Sequence, residues 1–360
     1  MALGSGFFRA DSRPARDLGV LLARQQAAQE PLRVLDLMAG CGIRALRYGL
    51  EAGARSVWAN DADPERLPLL EANLAPLAGA HCTSATAQQL LAGCLQRQER
   101  FNLLDLDAFG CPTALLPLAL EAVAVGGVLY LASTDGRSAT GHDRSAALRS
   151  LGAAARAHPA AWELALRLQL GTVVRTAWAM GRGIQPLLAF SEGRTFRSAV
   201  RLQRHPAPRQ EEQLGLLALC HGCGDQQVQP LLRLRQWQPC HCRPGQAPPL
   251  AVSGPLWIGP LQEPSLLAAM AADGEARVGR GAHRLLERLR HDPGWPARCW
   301  PTAEIGRRLG TGPPPLQRLV AALQAEGWST SASGVMPGCL RSQAPWPTIL
   351  ARATELVAAK

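Results

Sequence analysis

One succession near the N-terminus constrains the fold more than anything else in the chain. Residues 32–37 form an apolar run that contains Asp36, Gly40-Cys41-Gly42 follow, and Leu46, Leu50 and Ala54 then recur at helical spacing. A short unbroken apolar run reads as a strand buried on both faces, and the change to a period near 3.6 reads as a helix packed against it. Val57-Trp58-Ala59 supplies the next strand. Asn60-Asp61 ends it about twenty residues beyond the glycines, the offset at which an acid meets a ribose hydroxyl in doubly wound nucleoside-binding folds. The expectation is an α/β fold with an open, mostly parallel sheet and its ligand at the strand C-termini.

The stretch Asp105 to Cys111, DLDAFGC, directly follows an apolar run at residues 101–104. It suits chemistry on the exocyclic amine of a flat base. Asp107 accepts one N–H of the amine, the carbonyl of Ala108 accepts the other, Phe109 stacks on the ring, and Gly110 lets the chain turn close by. Two acceptors draw the nitrogen towards tetrahedral geometry and free its lone pair to attack a methyl group held in line. A plain strand-ending turn is the competing reading. Gly40-x-Gly42-x-x-Ala45 also fits the dinucleotide fingerprint, so a nicotinamide-dependent oxidoreductase stays as an alternative. An acid at Asp36 ahead of the glycines, with the DLDAFG run ending a fourth strand, is instead the arrangement of an S-adenosylmethionine methyltransferase. Asp36 and Gly40 would then face the methionine part of the cofactor.

From Phe7-Phe8 and Arg16-Asp17-Leu18, through GIRALRYGLEAG at 42–53, DLDAFGCP, IQPLLAFSEGRTFRSAVRL at 184–202 and GPLWIGPL at 254–261, the chain resembles the tRNA (guanine-N2)-dimethyltransferase family. The resemblance implies a Rossmann-like class I methyltransferase sheet with a smaller α+β C-terminal domain. It implies S-adenosylmethionine as donor and the N2 amine of a guanine in tRNA, at position 26, as acceptor of one and then two methyl groups. Arg16 and Arg44 match positions that contact the cofactor, Asp61 matches the ribose acid, and Asp107 the acceptor for the target amine. Three departures stand out. Ala108 replaces a usual proline, Thr86-Ala87 puts a hydroxyl where the family has a carboxylate beside the adenine, and Ser333-Gly334-Val335 replaces Thr-His-Phe on an expected docking surface. These departures motivate a second alternative, a catalytically silent tRNA-binding protein.

Charge agrees with a nucleic-acid partner. The 360 residues carry a formal charge of +10, suited to a phosphate backbone. Lys360 is the single lysine, a bias that a GC-rich genome also produces. No apolar run of membrane-spanning length and no secretory pattern occurs, so a soluble, cytoplasmic protein, taken as a monomer, is expected. Ten cysteines in a reducing compartment point to metal or burial rather than disulfides. Cys220 and Cys223 have knuckle spacing, and Cys240 and Cys242 follow at a separation near that of zinc ribbons, with His221 or His241 able to replace one thiolate. A structural zinc would order the loop 224–239, which has little apolar content of its own.

The expected organisation is a methyltransferase domain at 1–210 and a zinc-bearing tRNA-docking domain at 211–360, separated by the linker-like QRHPAPRQEEQ. A short helix within the first 30 residues should cover the cofactor. Further strands are expected near 128–133 and 198–202, followed in the first case by a polar Thr134-Asp135-Gly136 turn that shapes the target pocket. Arg175, Arg182, Arg194, Arg197 and Arg201, interleaved with Trp178 and Phe196, are candidates for steering RNA. Helices at 278–290, 302–309 and 316–326 have the rhythm of a winged-helix-like unit.

Overall fold

The computed structural model describes residues 2–3, 8–193, 195–243 and 245–358, so Phe7, Arg194 and Lys360 lie outside the described residues. Helix α1 (Arg13–Ala27) leads into β1 (Arg33–Asp36), α2 (Ile43–Leu50), β2 (Ser56–Asp61), α3 (Leu67–Leu74), β3 (Ala80–Ser84), α4 (Ala87–Gln96) and β4 (Phe101–Asp107). There follow α5 (Leu116–Ala122), β5 (Val123–Ser133), α6 (Arg144–Leu151), α7 (Ala161–Ala179), β6 (Gly183–Glu192) and β7 (Thr195–Gln203). They build a seven-stranded sheet of order β3-β2-β1-β4-β5-β7-β6. Neighbours from β3 to β5 run parallel, and β7 is antiparallel to both β5 and β6. This is the expected class I methyltransferase sheet. β1 and β4 lie at its centre and bury nearly every residue, which is why they read as continuous apolar runs.

The second half of the chain adds β8 (Leu214–Leu219), β9 (Gln226–Pro230) and β10 (Ala251–Trp257), which form a sheet of order β10-β8-β9. After α8 (Pro264–Gly274) and α9 (Arg280–Arg290) come β11 (Cys299–Pro301), α10 (Thr302–Leu309), α11 (Leu316–Ala325), β12 (Thr330–Ala332), β13 (Cys339–Ser342) and α12 (Trp346–Ala358). A third sheet has the order β11-β13-β12. With α10 and α11 it makes the winged-helix-like unit, cored by Trp300, Ile305, Leu319, Leu323, Trp346 and Ile349.

The first of the three helices expected in that unit belongs elsewhere. Ala282, Leu285, Leu286 and Leu289 of α9 enter the main core, where the helix packs on α1 and α8. Its apolar stripe is real, but the stripe's partner is the catalytic half.

A buried charge network joins the winged unit to that half. Arg341 on β13 donates from Nε to Asp292 Oδ1 at 2.9 Å and from Nη2 to Glu163 Oε2 on α7 at 2.6 Å. Arg167, one turn along α7, donates to Glu163 at 2.9 Å and to the carbonyls of Trp257 and Gly259 at 3.1 and 3.0 Å. The GPLWIGPL segment therefore supplies backbone acceptors to a buried guanidinium. Ser333 and Gly334 close the same network: Gly334 N donates to Asp292 Oδ2 at 2.7 Å, and Ser333 Oγ accepts from Arg341 at 3.3 Å. Ser333-Gly334-Val335 is buried, so the docking surface expected there is corrected to an interior joint.

Candidate active site

The glycine turn after β1 takes left-handed conformations at Gly40 (φ 57°) and Gly42 (φ 77°). A Cβ on Gly42 would sit 3.0 Å from Leu70 Cδ2, so glycine suits both the dihedral and the packing. Two acids hold this loop. Asp36 is wholly buried, and its Oδ2 accepts from Ala45 N, in the first turn of α2, at 3.1 Å. Asp61 Oδ2 accepts from Gly40 N at 2.9 Å, while its Oδ1 accepts from Asp63 N at 3.0 Å. Asp36 thus fixes the loop through Oδ2 and leaves its other oxygen, Oδ1, without a partner.

Side chains two apart on a strand share a face. Asp105 and Asp107 on β4 therefore point the same way, and they meet arginines from two other elements. Arg44 on α2 lies 3.4 Å from Asp105 Oδ2 and 3.0 Å from Asp107 Oδ2. Arg197 on β7 donates from Nη2 to Asp107 Oδ2 at 2.8 Å. Tyr48 of α2 donates to Asp105 Oδ2 at 2.6 Å. Burial pushes the Asp36 carboxyl well above its ordinary value, with the Asp105 charge adding to it. For Asp105 burial again raises the pKa, against the pull of Arg44. Asp107 goes the other way: burial pushes up, but Arg197 and Arg44 outweigh it and hold the carboxyl below the usual range. The cluster keeps its negative charge at the strand end, where Asp107 retains 28 % of its side-chain exposure.

Next to Asp107, the Ala108 side chain is buried while Phe109 is 78 % exposed. The exposed ring offers a stacking face next to a hydrogen-bond acceptor. The loop carrying it is clamped by the end of β5. Gly110 (φ 78°) donates from N to Thr134 Oγ1 at 2.7 Å, and its carbonyl accepts from Ser133 Oγ and Thr134 N, each at 3.0 Å.

Arg16 of α1 is buried. It donates to the carbonyls of Arg9 and Ala10 at 2.9 and 3.3 Å and lies 4.9 Å from the centre of the Phe8 ring. Thr86 caps α4: its hydroxyl accepts from Gln89 N at 3.3 Å and sits 3.0 Å from Gln89 Oε1, with Ala87 buried behind it. The hydroxyl expected to replace a carboxylate beside the adenine is thus taken up by the helix terminus.

Of the arginines read as an RNA-steering set, Arg194 lies outside the described residues, and Arg197 and Arg175 are engaged within the protein. Arg197 is 2 % exposed, and Phe196 is equally buried. Arg175 donates to the carbonyls of Gly171 and Leu151 at 3.0 and 2.6 Å, and Trp178 to Gln210 at 2.9 Å. Phe196 and Arg197 lie on β7, which is buried on both faces, so alternation sends one to each interior side; Arg175 and Trp178 lie on α7.

Several buried polar atoms of the cluster lack a hydrogen-bond partner: Asp36 Oδ1, Asp105 Oδ1, Glu192 Oε2, and Nε and Nη1 of Arg197. Buried polar groups are ordinarily paired, so open acceptors and donors within one charge cluster leave room for a polar ligand. The acids suit an ammonium and the guanidinium suits a carboxylate, the two ends of an amino-acid moiety. Asp105, Tyr48, Glu192 and the partnership of Arg197 with Asp107 carried no role in the sequence reading. The spacing of Asp105 two residues before Asp107 was the available signal for the first.

Away from this cluster, the sulfurs of Cys220, Cys223, Cys240 and Cys242 all lie within 4.8 Å of one another, Cys220 and Cys242 at 3.6 Å. Convergence of four thiols is the ligand set of a structural zinc site. The winged unit grips this knuckle: Trp346 Nε1 donates to the Cys223 carbonyl and Trp300 Nε1 to that of Gly224, both at 2.9 Å. No helix among the described residues is long and apolar enough to cross a membrane.

The family model described as N2,N2-dimethylguanosine tRNA methyltransferase matches residues 4–353. A tRNA (guanine(26)-N(2))-dimethyltransferase of Methanocorpusculum labreanum is 30 % identical over 343 residues, covering 93 % of this chain and 86 % of the relative. The protein of the same name from Thermococcus kodakarensis is 29 % identical over 357 residues, 93 % of this chain and 89 % of its own. The solved structure of Trm1 from Pyrococcus horikoshii with S-adenosyl-L-methionine superposes with a TM-score of 0.82 at 25 % identity, covering 96 % of this chain and 94 % of that one.

Proposed function

Since the chain belongs to the N2,N2-dimethylguanosine tRNA methyltransferase family, we propose that it transfers methyl groups from S-adenosylmethionine to the exocyclic N2 amine of guanine 26 in tRNA, once and then again. The nicotinamide oxidoreductase and silent-binder readings have nothing comparable behind them. The observation that carries the proposal to particular residues is the pair Asp107 and Phe109, an ionised carboxylate beside an exposed ring at the end of β4.

When bound, S-adenosylmethionine supplies a methyl group on a sulfonium. The open atoms of the cluster's acids and of the Arg197 guanidinium fit its amino-acid end. Arg16, Arg44, Gly40 and Asp61 would hold the cofactor, Asp36 would brace the glycine turn, and Thr86 and Ala87 would border the adenine. Phe109 stacks on the flipped guanine, offsetting part of the few kcal/mol of unstacking. Asp107 and the Ala108 carbonyl accept the two N–H groups, localise the nitrogen lone pair and orient it, and the one N–H proton displaced by each methyl group leaves through the partly exposed Asp107 carboxylate to solvent. For the second transfer one acceptor meets a methyl group in place of N–H. Incubating unmodified tRNA with the protein and S-adenosylmethionine, then digesting it, should give N2-methyl- and N2,N2-dimethylguanosine by mass; guanosine alone would overturn the proposal.

The four converging cysteines support a zinc ion, with a structural part because four protein ligands leave no open position. The 211–360 part would dock the tRNA, its arginines gaining affinity by counterion release in the cytoplasm. Cys242→Ser is expected to lower the zinc content measured by elemental analysis and to weaken tRNA binding, while S-adenosylmethionine affinity by calorimetry stays within a few-fold. A zinc-free wild type, or equal loss of both affinities, would contradict this division of labour.

A further inference from the structure

Arg197 stands two strands from Asp107, and the register of the sheet explains how they meet. Asp107 is the partner of Ala132 on β5, and Ala132 is the partner of Arg197 on β7. Two strand spacings amount to about 10 Å. With a methyl group at position 132, the arginine extends across β5 to the carboxylate. The resulting pair is a poor stabiliser. Arg197 donates from Nη2 to Asp107 Oδ2 at 2.8 Å, leaves Nε and Nη1 buried without partners, and lies 5.6 Å from the centre of the Tyr130 ring. Unmet buried donors cost about 1–3 kcal/mol, as much as one charge-assisted hydrogen bond returns. Stability alone gives no reason for a guanidinium here, and the Nη2 bond to Asp107 is separate from the open Nε and Nη1 that suit the cofactor's carboxylate.

We infer that Arg197 is a positioning residue of the methyl transfer: with Arg44 it occupies Oδ2 of Asp107, so that Oδ1 is the oxygen presented to the guanine amine. This rests on the reading of Asp107 given above. The charged and titratable groups around Asp107 are Arg44 and Tyr48 from α2, Arg197 from β7 and Asp105 from β4, with Asp36 on β1, Tyr130 on β5 and Glu192 on β6 completing the shell. Without Arg197 the remaining counter-charge is Arg44, which is shared with Asp105. Burial, the largest upward influence on Asp107, would then be opposed by Arg44 without Arg197, so the pKa of the carboxyl should rise.

The sign follows directly. An ionised Asp107 accepts the amine N–H, so activity is lost as pH falls through its pKa, and raising that pKa moves the loss to higher pH. The test is a carbon-13 NMR titration of the Asp107 carboxyl in the cofactor-free full chain, assigned with Asp107→Asn, alongside the acid limb of single-turnover methyl transfer. In Arg197→Met both should move up together, by about 1–3 pH units. Arg197→Lys keeps a charge with a different reach, so its titration should stay near that of the wild type while the rate falls. An unmoved Asp107 titration in the folded methionine variant overturns the inference. Should that variant not fold, a rise of a full pH unit in the lysine variant does so instead. A coupled Asp107 titration in a protein that methylates no guanine would sink the functional reading and leave the Arg197–Asp107 pair standing, which separates the two failures.

Discussion

Asp107→Asn should reduce single-turnover methyl transfer to tRNA by about 10²–10³-fold, the range found when one preorganised electrostatic contact to a reacting group is removed. The substitution is nearly isosteric, so the loss comes from charge. Asparagine offers a neutral oxygen to the amine, and its own NH2 faces it if the amide turns over. It also leaves Arg44 and Arg197 without the carboxylate that both approach, at 3.0 and 2.8 Å. Cofactor affinity is the control, because Asp107 is assigned to the base. Calorimetry with S-adenosylmethionine should change by no more than a few-fold, and an equal loss in both measurements would move Asp107 into the cofactor site.

Arg341→Leu should destabilise the protein by about 3–5 kcal/mol, the usual consequence of removing one member of a buried ion pair. Against a total stability of about 5–15 kcal/mol this is a large share. The guanidinium is wholly buried and bonds both Glu163 and Asp292, which would be left facing each other. Burial pushes the Glu163 carboxyl up, yet Arg341 and Arg167 bring it down to about 2. Its folded-state pKa is therefore depressed, and its stabilisation is present above the ordinary glutamate value and lost as pH falls through about 2. Urea melts should show the wild type losing stability over that window and the variant losing less. The exposed pair Arg352 with Glu326 is the contrast, since solvent screens it and its removal should leave the urea midpoint nearly unchanged.

What could be read in advance followed from local signals. The strand-turn-helix succession at 32–54, the acid ending β2 and the DLDAFG run each compress a structural demand into adjacent residues, and they point to the methyltransferase sheet and to Asp107 and Phe109. The rest depends on contacts between distant parts of the chain. Arg197 meets Asp107 across 90 residues because β7 inserts beside β5, and Arg341 meets Glu163 across 178 because the winged unit docks on α7. A strand order of that kind leaves no trace in local periodicity. The basic stripe of α9 was legible as a helix, but whether its apolar face met α1 or the winged unit was not. GPLWIGPL stood out as a distinctive block; its part as a set of carbonyl acceptors for Arg167 needed the fold.

The most direct test of the central contact, between the Asp107 carboxylate and the guanine amine, is a binding cycle. tRNA with guanine at the target position and the same tRNA with inosine there, which lacks the 2-amino group, are titrated into the wild type and Asp107→Asn. The wild type should prefer guanine by at least about 1.5 kcal/mol, roughly tenfold, and the asparagine variant should lose most of this preference. Equal preference in both proteins would contradict it.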